Sequence, residues 1–272
     1  MKKLVVALSA LAAFTGSALA ADLAPRPYTK APPPVVAAVP NWTGCYVGGG
    51  GGFGLWNQEN TGYDDGAPNG RLLTRTRITE TVTTGGRGYF GTVQGGCDYQ
   101  FAGMGQQFVI GVNADYDFDS LKGYHNPPGT GLWSPEKMSS AWAVGGRIGW
   151  LAFPSLLTYF SIGYTEAKFD SQTYTNLNGP PFGILSGTYT PGRTYKGWYL
   201  GAGDEYALNF LPGLFWKTEY RFSEFDQVTN PVLITATNLR TGDSEDSKKY
   251  VQTLRSELVY RFNWGGAVVA KY

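Results

Sequence analysis

The residues that most invite a chemical role lie in a glycine-rich stretch near the start of the chain, "GCYVGGGGGFG" (Gly44–Gly54). A glycine-rich loop can bind phosphate when it ends in Gly-Lys-Ser or Gly-Lys-Thr and leads into a helix. This stretch lacks that ending, and no helical pattern follows it. The sequence therefore argues against a phosphate-binding loop. It favours glycines within a strand, where they permit tight curvature and close packing of aromatic rings.

Other residue types that could do chemistry are sparse. His125 is the only histidine, and its surroundings, "GYHNPPG", predict a solvated loop residue. Zinc sites need several Cys or His ligands at short spacing, and the chain has 2 cysteines and 1 histidine. We therefore predict no catalytic residue, no metal site, no cofactor and no enzymatic activity.

The two cysteines, Cys45 and Cys97, are equidistant from the midpoint of a polar segment, residues 58–84. In a simple antiparallel hairpin around that segment, the two cysteines would face each other. An oxidising compartment permits a cross-strand disulfide between them. The alternative is a pair of free thiols that face lipid, and the sequence leaves both interpretations open.

The first residues predict export from the cytoplasm. Lys2 and Lys3 precede an apolar run, and an Ala-x-Ala pattern ends at Ala20, so residues 1–20 are predicted to be a signal peptide. Residues 21–41 are rich in proline and predict a semi-rigid periplasmic tether. Without Lys2 and Lys3, the 22 basic residues become 20 against 21 acidic residues. This near-neutral balance predicts no nucleic-acid partner.

From Trp42 onward, apolar residues recur at every second position, which predicts strands. Long polar gaps alternate with short ones: the long gaps are 58–84, 119–138, 170–193 and 228–249, and the short gaps are 102–107, 152–156 and 209–214. Tight turns on one side and long loops on the other are typical of barrels in an outer membrane. We therefore predict an all-β fold: an eight-stranded antiparallel up-and-down transmembrane β-barrel over residues 42–264. A short tail at 265–272 follows, and both termini are predicted to be periplasmic.

Lipid requires the charged positions of each strand to face inward, where a small barrel has room for side chains. An unpaired charge there would cost roughly several kcal/mol, so we expect ion pairs. The predicted interior charged residues are Asp115, Arg147, Glu205, Lys217, Glu219, Arg221, Arg255, Glu257 and Arg261. In the rival fold, a soluble lipocalin-like barrel, the apolar positions would face inward instead.

An aromatic residue lies at the short-turn end of each predicted strand. Aromatic rings with a polar edge prefer the boundary between hydrocarbon and water. A ring at every strand end therefore predicts a periplasmic aromatic girdle. Its predicted members are Trp42, Tyr99, Phe108, Trp150, Tyr159, Tyr206, Trp216 and Phe262.

Four segments, "NWTGCYVGG", "YKGWYLGAGDEYAL", "WKTEYRF" and "SELVYRFNW", resemble the Omp25/Omp31-like (porin-family) outer-membrane proteins of alphaproteobacteria. The Pro-rich start, "ADLAPRPYTKAPPP", is also similar, so the resemblance covers essentially the whole chain. It implies an eight-stranded barrel, abundance at the cell surface and a role in envelope integrity. Haemin binding, reported for some members, transfers to no named residue of this chain.

The chain departs from the family pattern at both cysteines and at Asp204, which stands beside Glu205 where an apolar residue is common. Two adjacent acids cannot both face inward in a regular strand. Either Asp204 lies near the headgroups at the periplasmic end, or a bulge re-aims one of the two side chains.

These observations predict an integral outer-membrane barrel that supports the envelope and displays its loops. Its expected partners are outer-membrane lipids and the barrel-assembly machinery, and a monomer is the favoured state. Two alternative functions stay open: a narrow porin-like channel for small solutes, and binding of a ligand such as haemin by the surface loops.

Overall fold

The computed structural model describes residues 40–66, 75–127, 130–176 and 183–262. The predicted signal peptide (1–20), the tether (21–41) up to residue 39, and the tail (265–272) lie outside the described residues. All of the described residues belong to one compact unit within Ala38–Tyr272. No described segment is a helix long and apolar enough to cross a bilayer.

Twelve strands make up the described fold. They are β1 (Gly44–Asp64), β2 (Thr76–Arg77), β3 (Val82–Gly103), β4 (Gln106–His125), β5 (Leu132–Phe153), β6 (Leu156–Phe169), β7 (Gln172–Asn176), β8 (Ile184–Thr190), β9 (Arg193–Ala207), β10 (Leu214–Phe225), β11 (Val228–Ile234) and β12 (Arg240–Phe262).

Eight of these strands form a closed antiparallel ring, in the order β1, β3, β4, β5, β6, β9, β10 and β12. The ring closes between β1 and β12, where the register runs from Cys45 opposite Phe262 to Asp64 opposite Asp243. Because closure pairs the backbone groups of every strand on both sides, such a barrel can lie in lipid. The predicted eight-stranded antiparallel up-and-down barrel is confirmed.

The barrel wall is taller than the predicted strands. Five ring strands contain 20 to 23 residues, whereas about 9 to 11 residues span a bilayer. The other three ring strands end earlier, and the wall continues through β7, β8 and β11, which pair in sequence between β5 and β12. Much of the four predicted long loops is therefore strand. The alternation of apolar and polar residues is lost there, because polar residues occupy both faces of a strand once it extends beyond the lipid.

At the opposite end, the connections are tight, as their lengths predict. Met104 and Gly105 join β3 to β4, and both have positive φ values, 48° and 75°. Two positive φ values in a two-residue loop match the twist of antiparallel strands, which is why such turns favour glycine. The turn exposes Met104 almost fully and fixes the register that places Phe101 opposite Phe108.

The two faces of the wall differ in polarity. On β4, Ile110, Val112 and Phe118 face outward, whereas the carboxylates of Asp115 and Asp117 are buried inside. The apolar outward positions of this strand run from Phe108 to Phe118, and Ser120 and Lys122 follow them. Ten steps of about 3.4 Å at a tilt near 40° give a band about 25 Å tall, the height that an outer membrane requires.

Candidate functional site

The candidate site is the polar interior of the barrel. The structure places all nine predicted interior charges inside, with exposed fractions between 0% and 8%. They lie in separate clusters along the barrel axis. Five further charged residues outside the predicted set complete these clusters: Asp98, Asp117, Glu136, Glu245 and Lys249.

The first cluster, which we call the short-turn cluster, consists of Asp98, Arg147, Glu205 and Arg261. Arg147 Nη1 lies 3.0 Å from Glu205 Oε2, and Arg261 Nη2 lies 2.6 Å from Glu205 Oε1. Both arginines also donate to Asp98, with Arg147 Nε at 2.9 Å and Arg261 Nη1 at 2.6 Å. Two arginines thus share two carboxylates, so the cluster is electrically neutral as well as extensively hydrogen-bonded.

Aromatic rings pack against these guanidinium groups. The Arg261 guanidinium lies 5.0 Å from the Trp42 ring centre, and that of Arg147 lies 5.0 Å from the Tyr159 ring centre. Tyr46 contacts both arginines, at 4.8 and 4.9 Å. Each ring face therefore meets a cation in a site removed from water, which strengthens the attraction.

The inward position of Trp42 and Tyr159 corrects the predicted girdle. Their exposed fractions are 0% and 1%, so neither ring reaches a membrane boundary. Tyr159 falls on the inward positions of β6, where its hydroxyl donates to Glu219 at 2.8 Å. Trp42 precedes β1 and folds across the barrel end, where its ring centre lies 4.7 Å from that of Phe215.

The second cluster lies at mid-height and is called the central cluster. Arg221 Nη1 lies 2.7 Å from Asp115 Oδ1, and Arg255 Nη2 lies 2.9 Å from Asp117 Oδ2. The members are Asp115, Asp117, Lys217, Glu219, Arg221, Arg255 and Glu257. Lys217, Glu219 and Arg221 come from alternate positions of β10, because successive side chains on a strand point to opposite faces.

The third cluster, called the long-loop cluster, surrounds His125. Its imidazole is 1% exposed, and Nε2 lies 2.9 Å from Glu245 Oε2. The amide groups of Gln58 and Asn60 lie 3.2 and 3.1 Å from Nδ1, so this nitrogen acts as the acceptor. Lys249 Nζ lies 2.6 Å from Glu136 Oε1 in the same cluster.

The prediction that His125 is a solvated loop residue is wrong. Strand β4 continues to this residue in the structure, and the inward position encloses its ring. The prolines that follow suggested an earlier end to the strand. The alternation of β4 was the available signal, because it assigns His125 the same face as Asp115 and Asp117.

The glycine-rich stretch is part of β1, and its glycines are required by close approach. A Cβ atom on Gly50 would collide with the Ser256 carbonyl oxygen, and one on Gly52 would collide with the Leu254 carbonyl oxygen. Any side chain at these inward positions would push β12 away at the closing seam. The phosphate-loop interpretation had already failed on sequence, and the structure supplies the packing reason for the glycines.

Cys45 and Cys97 lie directly opposite each other in the register of β1 and β3. They form a disulfide, with a Cα–Cα distance of 3.9 Å. The bond lies on the outward face, because the neighbouring residues Tyr46 and Asp98 are buried inside.

Comparison with known proteins indicates in which membrane this barrel lies. The chain is 27% identical over 269 residues to the 31 kDa outer-membrane immunogenic protein of Brucella melitensis biotype 1, covering 96% of this chain and all of that protein. The corresponding protein of Brucella suis biovar 1 matches equally. No family model matches the chain. The resemblance to the Omp25/Omp31-like outer-membrane proteins is confirmed.

The fold comparison agrees with this assignment. The outer-membrane protein OprG of Pseudomonas aeruginosa superposes with a TM-score of 0.51 at 10% identity, covering 83% of this chain and all of OprG. The chain therefore forms an outer-membrane β-barrel that is similar to the Omp25/Omp31-like proteins, and barrels of this kind have their short turns in the periplasm. The long-loop end is therefore extracellular.

The remaining six predicted girdle residues face the membrane. Tyr99, Trp150, Tyr206, Trp216 and Phe262 are between 38% and 61% exposed, and Phe108 is partly exposed. All six lie near the periplasmic ends of their strands, where aromatic rings reach the headgroups. A second aromatic row, including Tyr116, Trp142 and Trp198, faces outward nearer the extracellular end.

Asp204 faces outward and Glu205 faces inward. The register of β9 with β6 and β10 shows no shift at this point, so no bulge re-aims either side chain. Asp204 lies three residues before the end of β9, where the Thr158 hydroxyl donates to it at 2.6 Å. Of the two alternatives, the position near the periplasmic headgroups is the one found in the structure.

No group of three or more His, Cys, Asp or Glu side chains within the described ranges could hold a metal ion. The acids of the short-turn and central clusters are instead paired with arginine and lysine. The arrangement can therefore hold the strands of the barrel wall together.

Proposed function

We propose that this Omp25/Omp31-like barrel is a structural component of the outer membrane that displays its extracellular end and does not conduct solutes. The observation that carries the proposal is the burial of the interior cations. The side chains of Arg147 and Lys217 are each 2% exposed, that of Arg255 is 1% exposed and that of Arg261 is 0% exposed.

A water-filled lumen would leave the side chains that line it accessible to water. The four cations come from two clusters at different heights of the barrel, yet none has appreciable contact with solvent. Eight-stranded barrels enclose an interior just wide enough for side chains. Charges, aromatic rings and their hydrogen bonds occupy that interior, so support for the envelope is favoured over the alternative of a narrow channel.

The same burial argues against catalysis and against haemin ligation by histidine. His125 is the only histidine in the chain, and its ring is enclosed by Gln58, Asn60 and Glu245. A haem-binding imidazole needs a free nitrogen that faces the iron, and a catalytic imidazole must reach its substrate. The residues around His125 fit neither role.

Planar-bilayer recording of the folded, purified protein tests the proposal. The expected result is no stepwise conductance above that of the bilayer alone. Arg255→Gln, in the central cluster, is recorded beside it, with the outward-facing Lys196→Gln as the matched control. Steps in the unaltered protein that change in Arg255→Gln and not in Lys196→Gln would overturn the closed-lumen proposal and support the narrow channel.

A structural role also predicts a cellular phenotype. Removing the gene is expected to sensitise the envelope to detergent, and restoring the unaltered protein is expected to reverse the effect. Restoration by Arg255→Gln as well would separate support of the envelope from any conduction through the lumen. Unchanged detergent resistance in the deletion strain would contradict the structural role.

A further inference from the structure

Three cations form a row on the outer surface of the barrel, on the side that faces the membrane. Arg87 on β3 lies directly opposite Lys122 on β4, and Lys122 lies directly opposite Lys137 on β5. We call these three residues the basic row. Residues directly opposite on neighbouring antiparallel strands have Cβ atoms about 4.5–5.5 Å apart, and like charges placed there destabilise the pair.

Two other outward-facing lysines near this end of the barrel are paired with acids. Lys196 lies 3.9 Å from Glu166, and Lys248 lies 2.6 Å from Glu224. Within the described part of the chain, no member of the basic row forms an ion pair or a side-chain hydrogen bond. The N–H of Asp170 donates to the Lys137 carbonyl oxygen, but its carboxylate forms no ion pair with that lysine. The row thus carries a local charge that the protein itself leaves uncompensated.

The height of the row indicates what compensates it. Lys122 follows the last apolar outward residue of β4, Phe118, by four positions. At about 3.4 Å per residue and the usual strand tilt, this places its backbone about 10 Å beyond the hydrocarbon boundary. Outward aromatic residues flank the row on both sides, with Tyr89 nearer the bilayer and Tyr124 farther out, at 75% and 61% exposed. The row therefore faces sideways at the depth of the outer-leaflet headgroups.

We propose that the basic row binds the phosphate groups of an outer-leaflet glycolipid. Arginine and lysine both form charge-assisted hydrogen bonds to phosphate, and arginine adds a bidentate geometry. One phosphate between two adjacent cations would replace their repulsion by attraction. A second copy of this chain would not compensate the charge of the basic row, because an identical row in a symmetric contact would add further positive charge.

The test uses the full-length folded protein in detergent micelles and two probes, bisphosphorylated lipid A and lipid A without its phosphates. The unaltered protein is expected to bind the phosphorylated form at least about tenfold more tightly, a preference equivalent to about 1.4 kcal/mol. Equal binding of the two lipids would overturn the proposal, because acyl chains alone would then explain it. This comparison needs no variant and does not depend on the folding of one.

Two double variants locate the binding site. Lys122→Gln with Lys137→Gln is expected to abolish the preference for phosphate, whereas Lys196→Gln with Lys248→Gln, which removes the same charge elsewhere, is expected to retain it. Heat-modifiable gel mobility checks that each variant is folded. An equal loss in both pairs would overturn the assignment to the basic row.

A soluble sulfated polysaccharide is the competing source of negative charge. If such a polysaccharide bound the row and bisphosphorylated lipid A did not, the lipid proposal would be wrong. Binding of the phosphorylated lipid that weakens as salt rises is the expected behaviour of exposed charges.

Discussion

Removing the charge of Glu205 should reveal how strongly the short-turn cluster stabilises the barrel. The Glu205 carboxylate is 0% exposed and accepts three hydrogen bonds: one from Arg147 at 3.0 Å and two from Arg261 at 3.0 and 2.6 Å. Glu205→Gln keeps the side-chain shape but gives the four-residue cluster a net positive charge. Breaking a buried ion pair on one side costs about 3–5 kcal/mol. We expect about 3 kcal/mol, because the remaining amide oxygen still accepts.

Urea unfolding of the barrel in lipid vesicles, followed by tryptophan fluorescence, measures this loss. With an m-value of about 2 kcal/mol/M, the midpoint should fall by about 1.5 M. The neighbouring Asp204→Asn makes the same chemical change on the outward face, where one hydroxyl contacts the carboxylate. Its expected effect is below about 1 kcal/mol. Equal midpoints for the two variants would refute the argument from burial.

Three further outcomes are expected. The intact mass under non-reducing conditions should be lower by two hydrogen atoms than after reduction, and replacing Cys45 and Cys97 by serine should cost about 2–4 kcal/mol; two free thiols in the native barrel would contradict the bond. Burial, aided by the charges of Asp64 at the end of β1 and of the adjacent Asp65, raises the pKa of Asp243 in the extracellular part of β12. The charged form of Asp243 therefore destabilises the fold. This loss of stability develops as pH rises from the ordinary pKa through the raised pKa. Asp243→Asn should thus stabilise the extracellular end by less than about 1 kcal/mol at pH 7 and have no effect below the ordinary pKa of about 3.9, as measured by proteolysis at several pH values. His125→Phe should leave Glu245 without its imidazole partner and cost about 2–3 kcal/mol locally, seen as faster hydrogen exchange at the outer ends of β4 and β12; unchanged exchange would contradict a structural role for the imidazole.

The sequence was informative where the two faces of a strand differ strongly. Lys217, Glu219 and Arg221 alternate with apolar residues, and lipid on one side leaves a single orientation for them. Tyr159 was misassigned because β6 carries apolar residues at both inward and outward positions, as Leu157 and Phe160 illustrate. Polarity alone cannot distinguish the faces of such a strand.

The extracellular half was harder to predict because the membrane no longer constrains it. Beyond lipid, both faces of a strand meet water or polar side chains, so alternation in hydropathy disappears although backbone pairing continues. The central and long-loop clusters depend on register between strands that are far apart in sequence, as in the contact between Gln58 and Lys249. The pairing register of two distant strands cannot be deduced from the composition of either segment alone.

The tall extracellular wall has a consequence for the antibodies used to detect this protein. Asp64 lies opposite both Thr76 and Asp243, and Leu233 lies opposite Tyr189. An epitope on this rim is therefore assembled from segments far apart in the chain. A peptide copied from one loop reproduces only a fragment of it. Antibodies raised against such peptides, or against heat-denatured protein, should recognise the folded surface poorly, and antibodies for detecting the native protein would need to be raised against the intact barrel.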